Sequence, residues 1–508
     1  MICRMAPTNG FMAIYRCVQA LVLCVLVAGA LPAGAANLAA GPMAGHRDAR
    51  STIIWLQADA AAKAQIEYWP ESAAQGAAQS SAGLAAAAGK AALAAPEASK
   101  ASKASKAAAA HQRSAAVALT SADDFTAHIT LDALTPGTRY RYRVLLDGKE
   151  ARVPETLSFH TEALWQWRKH SYNPALGHTP PDFTVAFGSC VYVNDPPYDR
   201  SLAPAGKPYG SHYSVFASIA AKKPDVMLWL GDYLYLREAD YGSPAGMAAR
   251  WRHDRKLPQI QSLLRTGNHY AIWDDHDFGP NDSNASFIYK QESLRLFKRY
   301  WANGAWGLPD APGIFRSVSL NDADFFLLDG RTWRDADSAQ NLPGKTLFGA
   351  AQLRWLKNAL LASTARFKVI AAGNQIVKEV PLRIEGWSHF ADERREFFDW
   401  LTVNRVSGVV FLSGDRHHTE LNKQERHGAY PLYDFTCSPL TSGVHAPARG
   451  EDMSRTDAET VVNQHNFCTL DVAGAWGERR MTLKSFDADG KELWKRELNA
   501  NELMHAKQ

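Results

Sequence analysis

Apolar and polar positions alternate over Thr52–Leu56, Ala64–Trp69 and Asp124–Leu131. In the last of these, Phe125, Ala127, Ile129 and Leu131 fall on one side. A period of two is that of a half-buried strand. Arg139–Val144 alternates strictly, between a Pro136-Gly137 turn and an Asp147-Gly148 hairpin turn. Together they predict a small all-β domain over residues 50–161. An Ala-rich stretch with Ser, Lys, Gly and Gln interrupts it over about residues 72–117. Pro96 and the lack of a larger apolar stripe argue against a packed helix there, so it reads as a solvated loop. A basic tether to a polyanion is the alternative reading.

The pattern changes at Asp182. Continuous apolar runs, the mark of strands buried on both faces, now alternate with helical spacing. The runs are Phe183–Phe187, Asp225–Leu230, His269–Trp273, Phe325–Leu328, Phe367–Ala371 and Gly408–Leu412. Helices are predicted over Ser211–Ala221, Gln352–Ser363 and Glu393–Val403, and a closing hairpin over Met481–Phe486 and Leu493–Leu498. This is an α/β domain over residues 182–508.

Five of the apolar runs end in polar clusters. Phe187 leads to Gly-Ser-Cys190, and Leu230 to Gly-Asp232-Tyr-Leu-Tyr235. Trp273 leads to Asp274-Asp275-His276-Asp277 and then to Asn281-Asp282. Ala371 leads to Ala-Gly-Asn374, and Leu412 to Ser-Gly-Asp415-Arg-His417-His418. Open α/β sheets place their sites at strand carboxyl ends. Any one cluster has a plain structural explanation, since Asp232 could cap a helix and Cys190 or Tyr235 could be core. Adjacent carboxylates at 274, 275 and 277, however, repel unless cations compensate them. The joint pattern predicts one convergent metal site.

Composition narrows the class. The 508 residues exceed one ordinary domain. The 56 basic against 52 acidic residues leave a net charge of +4, so specific nucleic-acid binding is not expected. Arg4 and Arg16, the mostly apolar run Cys17–Ala30 and the small residues to Ala36 predict a signal peptide over residues 1–36. The run is shorter than the roughly 20 residues of a membrane span. The mature chain is therefore expected to be periplasmic or secreted, with no span. Cys3, Cys17 and Cys24 leave with that segment.

Two resemblances follow from quoted motifs. "LTPGTRYRYRV" resembles a fibronectin III-like β-sandwich. "FGSC", "LWLGDYLYLRE", "AIWDDHDFGPNDS", "FFLLDGRTWR" and "VVFLSGDRHHTEL", in that order, resemble the PhoD-like alkaline phosphatase/phosphodiesterase family of the metallophosphoesterase superfamily. That resemblance implies a four-layer α/β/β/α sandwich and a phosphoric ester hydrolase, in which activated water attacks a phosphate monoester or diester. It implies iron (Fe3+) held by Cys190, Asp232 and Tyr235, with Asp232 bridging to a second divalent cation, for which calcium is the family precedent. Asp275, Asp415 and His417 complete the implied ligands, and His276 is the implied catalytic group facing the leaving oxygen. Asp274, Asn281, Asp282, Asn374 and His418 are expected around substrate or ligands. Arg331 either grips a phosphate oxygen or pairs with Asp329. The twin arginines frequent in that family are absent from the export segment. With Cys190 on metal, Cys437 and Cys468 are expected to pair, two free buried thiols being the alternative. Rival functions are a phospholipase- or nuclease-type phosphodiesterase on the same fold, and a non-catalytic secreted binding protein with a relict site.

Overall fold

The computed structural model describes residues 35–71, 111–165, 180–196, 198–199, 207–340 and 342–505. Residues 1–34 of the expected signal peptide and residues 72–110 of the Ala-rich stretch lie outside the described residues.

Two sheets form the centre. The first has nine strands, in the order Glu492–Asn499, Arg480–Asp487, Asn466–Ala473, Phe183–Gly188, Val226–Leu230, Asn268–Ile272, Leu38–Arg47, Thr52–Ala58, Thr126–Leu131. The second has six, in the order Arg316–Leu320, Ala323–Leu327, Phe367–Ala371, Val409–Ser413, Ala429–Thr436, Glu420–Arg426. Phe183–Gly188, Val226–Leu230 and Asn268–Ile272 run parallel, as do the second sheet's strands from Ala323 to Thr436, apart from Glu420–Arg426. Val226–Leu230, Asn268–Ile272, Phe367–Ala371 and Val409–Ser413 are buried at every position, which is why they read as unbroken apolar runs.

The sheets face one another. Phe187 of the first meets Phe435 of the second edge-to-face at 5.0 Å, and Val185, Leu228, Phe325 and Leu327 line a residual gap of about 10 Å3 between them. A Cys437–Cys468 disulfide ties the end of the second sheet's strand Ala429–Thr436 to the first sheet's strand Asn466–Ala473. The expected pairing is therefore present, and Cys190 is free and buried.

A third sheet is built on Ala62–Pro70 and Arg139–Leu146, flanked by Gln112–Arg113, Val117–Leu119, Lys149–Glu150 and Ser158–His160. It packs on the far end of the first sheet through Ile54, Leu56, Ile129, Ile66, Tyr142 and Val144. Two boundaries move. The β region starts at Leu38 rather than 50, and it is continuous with the first sheet: Leu38–Arg47 pairs antiparallel with Thr52–Ala58 and parallel with Asn268–Ile272 at Ala44. Small residues hid this strand. Gly45 lies so close to Ala302 that an added Cβ would meet that residue at 2.3 Å. The stretch expected to extend to 117 carries paired strands from Gln112.

Candidate metal centre

The parallel strands of both sheets deliver their carboxyl ends to one place. Donor atoms of Cys190, Asp232 and His417 lie within 4.8 Å of one another. So do those of Asp232, Asp275 and His276, and those of Asp274, Asp275, Glu385 and Asp415. Asp232 and Asp275 each belong to two groups, so the three form a continuous chain. The Tyr235 hydroxyl sits 3.2 Å from His417 Nε2, and its ring lies 4.1 Å from that of His276.

The backbone at these points is costly. Cys190, Asp232, Asp415 and His417 all have positive φ, from 51° to 67°. Non-glycine residues in that region store about 1–3 kcal/mol each and persist where surrounding structure enforces them. Here the enforcement is visible. The Asp277 carboxylate accepts from the amides of Asp232 (2.6 Å), Asp274 (3.0 Å) and Leu234 (3.3 Å), locking two ligand turns together. Gly231 and Gly373 have no room for a Cβ, which would meet Asp274 Cβ at 2.6 Å and Asp274 Cγ at 2.4 Å.

His417 Nδ1 faces the Gly443 carbonyl and the Ser442 hydroxyl, which leaves Nε2 turned inward. Its neighbour Arg416 turns away and makes a two-point pair with Glu451 at 2.9 and 2.8 Å. Lys378, wholly buried, joins Glu451 (2.7 Å) to Glu420 (2.8 Å) behind the turn. His418 belongs to this second network. Its Nδ1 contacts the Arg416 carbonyl at 2.9 Å and its Nε2 faces Glu420 at 3.6 Å. Of the two surroundings expected for His418, substrate or ligands, this network lies behind the ligand turn, and adjacent residues on the turn point to opposite sides.

The Arg331 guanidinium pairs with other carboxylates than the expected Asp329. It is fully buried, and its Nε donates to Asp274 (2.7 Å) and its Nη1 to Glu385 (2.8 Å). Asp329 instead accepts the Arg331 amide and the Trp273 indole N–H. Asn374 bridges Asp274 (3.1 Å) and Arg334 (2.7 Å), a role beside the ligands. Asn281 and Asp282 stand exposed at the rim, and Asp282 reaches the centre through its amide, which donates to Asp275 Oδ2 at 2.8 Å. Glu385 and Arg334 were missed in the sequence. Glu385 sits in an irregular loop with no strand before it, so no positional signal marks it.

Electrostatics decides what the site can hold. Arg331 and Arg334 neutralise Asp274 and Glu385, and the Glu385 carboxyl is held below its usual range by both. Arg331 also reaches Asp275 at 3.8 Å, whereas Asp232, Asp415 and Cys190 make no ion pair among the described residues. Burial, then repulsion from Glu385 and Asp275, pushes Asp415 up to about 8. Burial and four neighbouring aspartates push Asp232 well up, and burial with Asp232 and Asp415 does the same to the Cys190 thiol. Buried carboxylates in this number ionise together only with bound cations. The donors divide by kind. Cys190, His417 and the nearby Tyr235 suit a transition metal, whereas Asp274, Asp275, Glu385 and Asp415 form an all-oxygen group suited to a hard cation.

The PhoD-like phosphatase family model matches residues 201–485, more than half of the chain. The chain belongs to the PhoD-like phosphatase family. It is 24% identical over 400 residues to alkaline phosphatase D of Bacillus subtilis (strain 168), covering 67% of this chain and 61% of that relative. It thus spans under two thirds of the curated relative's length. The solved structure of PhoD superposes with a TM-score of 0.65 at 15% identity, covering 90% of this chain and 91% of that one. The purple acid phosphatase PPD1 from yellow lupin seeds superposes at 0.56 and 10% identity, covering 90% and 74%. Both likenesses concern the fold, a mixed α/β architecture.

Proposed function

We propose that this member of the PhoD-like family is an exported metal-dependent phosphoric ester hydrolase acting on small phosphate monoesters or diesters. The observation that carries the reading is the convergence of Cys190, Asp232, Asp415 and His417 from three strand ends, each residue in the left-handed region, on one buried acidic centre. The alkaline phosphatase D relative supports the same reaction class. Iron, as Fe3+, is assigned to Cys190, Asp232, Tyr235 and His417, and a second divalent cation, calcium, to the carboxylates around Asp275. Bound cations supply Lewis acidity toward phosphoryl oxygens and lower the pKa of water.

The chain's own groups do the rest. Asp277 and Arg331 hold the acidic turns in place, so no reorganisation is needed as charge develops. His276, beside Asp275 and with its ring tilted against that of Tyr235, is placed to give a proton to the departing oxygen. The signal-like first 36 residues support export, and so does the disulfide, which persists in oxidising compartments. The four-layer arrangement and the fibronectin III kinship of the N-terminal β region are part of the same proposal.

The test is mature protein assayed on p-nitrophenyl and bis-p-nitrophenyl phosphate with elemental analysis. Turnover dependent on bound metal is expected. Metal-replete protein inert on both esters would overturn the reading and favour a binding protein. Retained iron and turnover in Cys190→Ser beside an inert Asp232→Ala would remove Cys190 from the iron set.

A further inference from the structure

The parallel strands that end at the acidic centre begin at a cleft of the opposite character. Lys223, Pro224 and Asp225 precede Val226–Leu230, and Arg265 to Asn268 lead into Asn268–Ile272. These two loops form one wall of a cleft of about 290 Å3. The other wall is the third sheet: Arg139 and Arg141 from Arg139–Leu146, and Thr156, Ser158 and His160 from the adjoining segment. Three guanidinium groups, one ammonium and three hydroxyl side chains, those of Thr156, Ser158 and Thr266, thus line one enclosed space at the junction of two β layers. Such junctions are common places for ligand sites.

The charges do not cancel within the wall. Arg141 is matched by Glu71 at 2.6 Å, Arg265 by Glu155 at 2.8 Å, and the buried Arg47 behind His160 by Glu162 at 2.8 Å. Arg139 meets Glu71 only at 3.9 Å and is 60% exposed. Lys223 has no carboxylate within ion-pair distance among the described residues. The one carboxylate in the wall, Asp225, accepts the Thr184 amide at 2.9 Å. His160 registers the resulting field: burial, then Arg47 and Arg139, depress its pKa to about 3, so it stays neutral and adds no charge of its own.

We infer that this cleft is a second anion site, built for a compact phosphoryl group. Arg139 and Lys223 supply the uncompensated charge, and the guanidinium forks and hydroxyls supply donors suited to tetrahedral oxygens. It is separate from the reaction centre, since the strands between them are five residues long, about 17 Å at the usual rise. The occupant is either free inorganic phosphate or a phosphoryl group carried on a larger molecule. The enclosed shape serves both only if the ester substituent can leave through the cleft mouth beside Arg139.

The experiment is calorimetric titration of the metal-replete protein with inorganic phosphate and, separately, with methylphosphonate, which cannot be hydrolysed. Wild type is expected to bind two phosphates. Arg139→Gln/Lys223→Gln, a surface double variant, should bind one, with at least tenfold weaker affinity at the lost site. Its turnover of bis-p-nitrophenyl phosphate should match wild type. Methylphosphonate binding at the same site assigns it to carried phosphoryl groups, whereas binding of phosphate alone assigns it to the free ion. Equal stoichiometry and affinity in wild type and double variant overturns the proposal, whether each binds one phosphate or two. An inert enzyme that still loses one phosphate in the double variant would separate this site from the hydrolase reading.

Discussion

Adjacent histidines on one turn have different fates, and that difference is measurable. His417 faces Cys190, Asp232 and Tyr235, while His418 faces Glu420. His417→Ala is expected to lower iron retention more than about 100-fold, beyond the 10–100-fold typical of groups that merely orient ligands. His418→Ala should keep metal binding and lose about 1–3 kcal/mol of stability, the cost of an unpaired buried partner. Chelator competition and denaturant melts on both variants check the pair. Equal iron loss in the two would place the ligand assignment in error. Arg331 makes the second residue-scale case. Arg331→Met leaves Asp274 and Glu385 facing each other without their buried cation, which costs about 3–5 kcal/mol. A melting temperature within error of wild type would show that Arg334 alone suffices.

At the scale of elements, the sheet ends were legible and the loops were not. Buried parallel strands announce themselves as apolar runs, so Phe183–Gly188, Val226–Leu230 and Val409–Ser413 could be read, and with them the ligands at their ends. Leu38–Arg47 could not, because it is built of Ala, Gly and Pro and takes its strand character from the sheet edges it joins. Glu385 and Glu451 were equally hidden. Both lie in irregular loops and acquire meaning only from the arginines they meet in space. Glycine packed against a ligand-bearing turn is an element-scale signal that can be tested. Gly373→Ala places a Cβ against the Asp274 carboxyl, and overpacking of this kind costs about 1–3 kcal/mol. Because Asp274 must shift, cation affinity should fall along with stability. The inter-sheet disulfide gives a cleaner case. It closes a 31-residue separation, for which chain entropy predicts a loss of about 3.7 kcal/mol in Cys437→Ser/Cys468→Ser. Iron content should survive, since neither sulfur belongs to the ligand groups.

Across the whole molecule, two opposed sets of carboxyls fix how stability depends on pH. Glu385, Glu420 and Glu451 are held low after burial is overcome by their cations and hydrogen bonds, Glu451 to about 2. Their contribution is present above the unfolded carboxyl range and is lost as pH falls through their folded values. Asp277 and Asp415 are displaced the other way, mainly by burial, to about 7 and 8. In the metal-free protein the folded state therefore binds more protons than the unfolded one above about pH 4, and stability falls as pH rises through the folded values, with Asp415 still half protonated near 8. Metal-free protein is thus expected to melt highest at about pH 4–5 and progressively lower toward pH 8. Cations reverse the sign of this dependence, because they favour the ionised carboxylates that protons otherwise neutralise. Adding the proposed iron and calcium at pH 7.5 should raise the melting temperature and release protons, detectable as buffer-dependent heats in calorimetry. A metal-free protein whose melting temperature is flat from pH 5 to 8, with no proton release on loading, would mean that these carboxyls ionise without help and that the centre does not depend on cations to balance its charge.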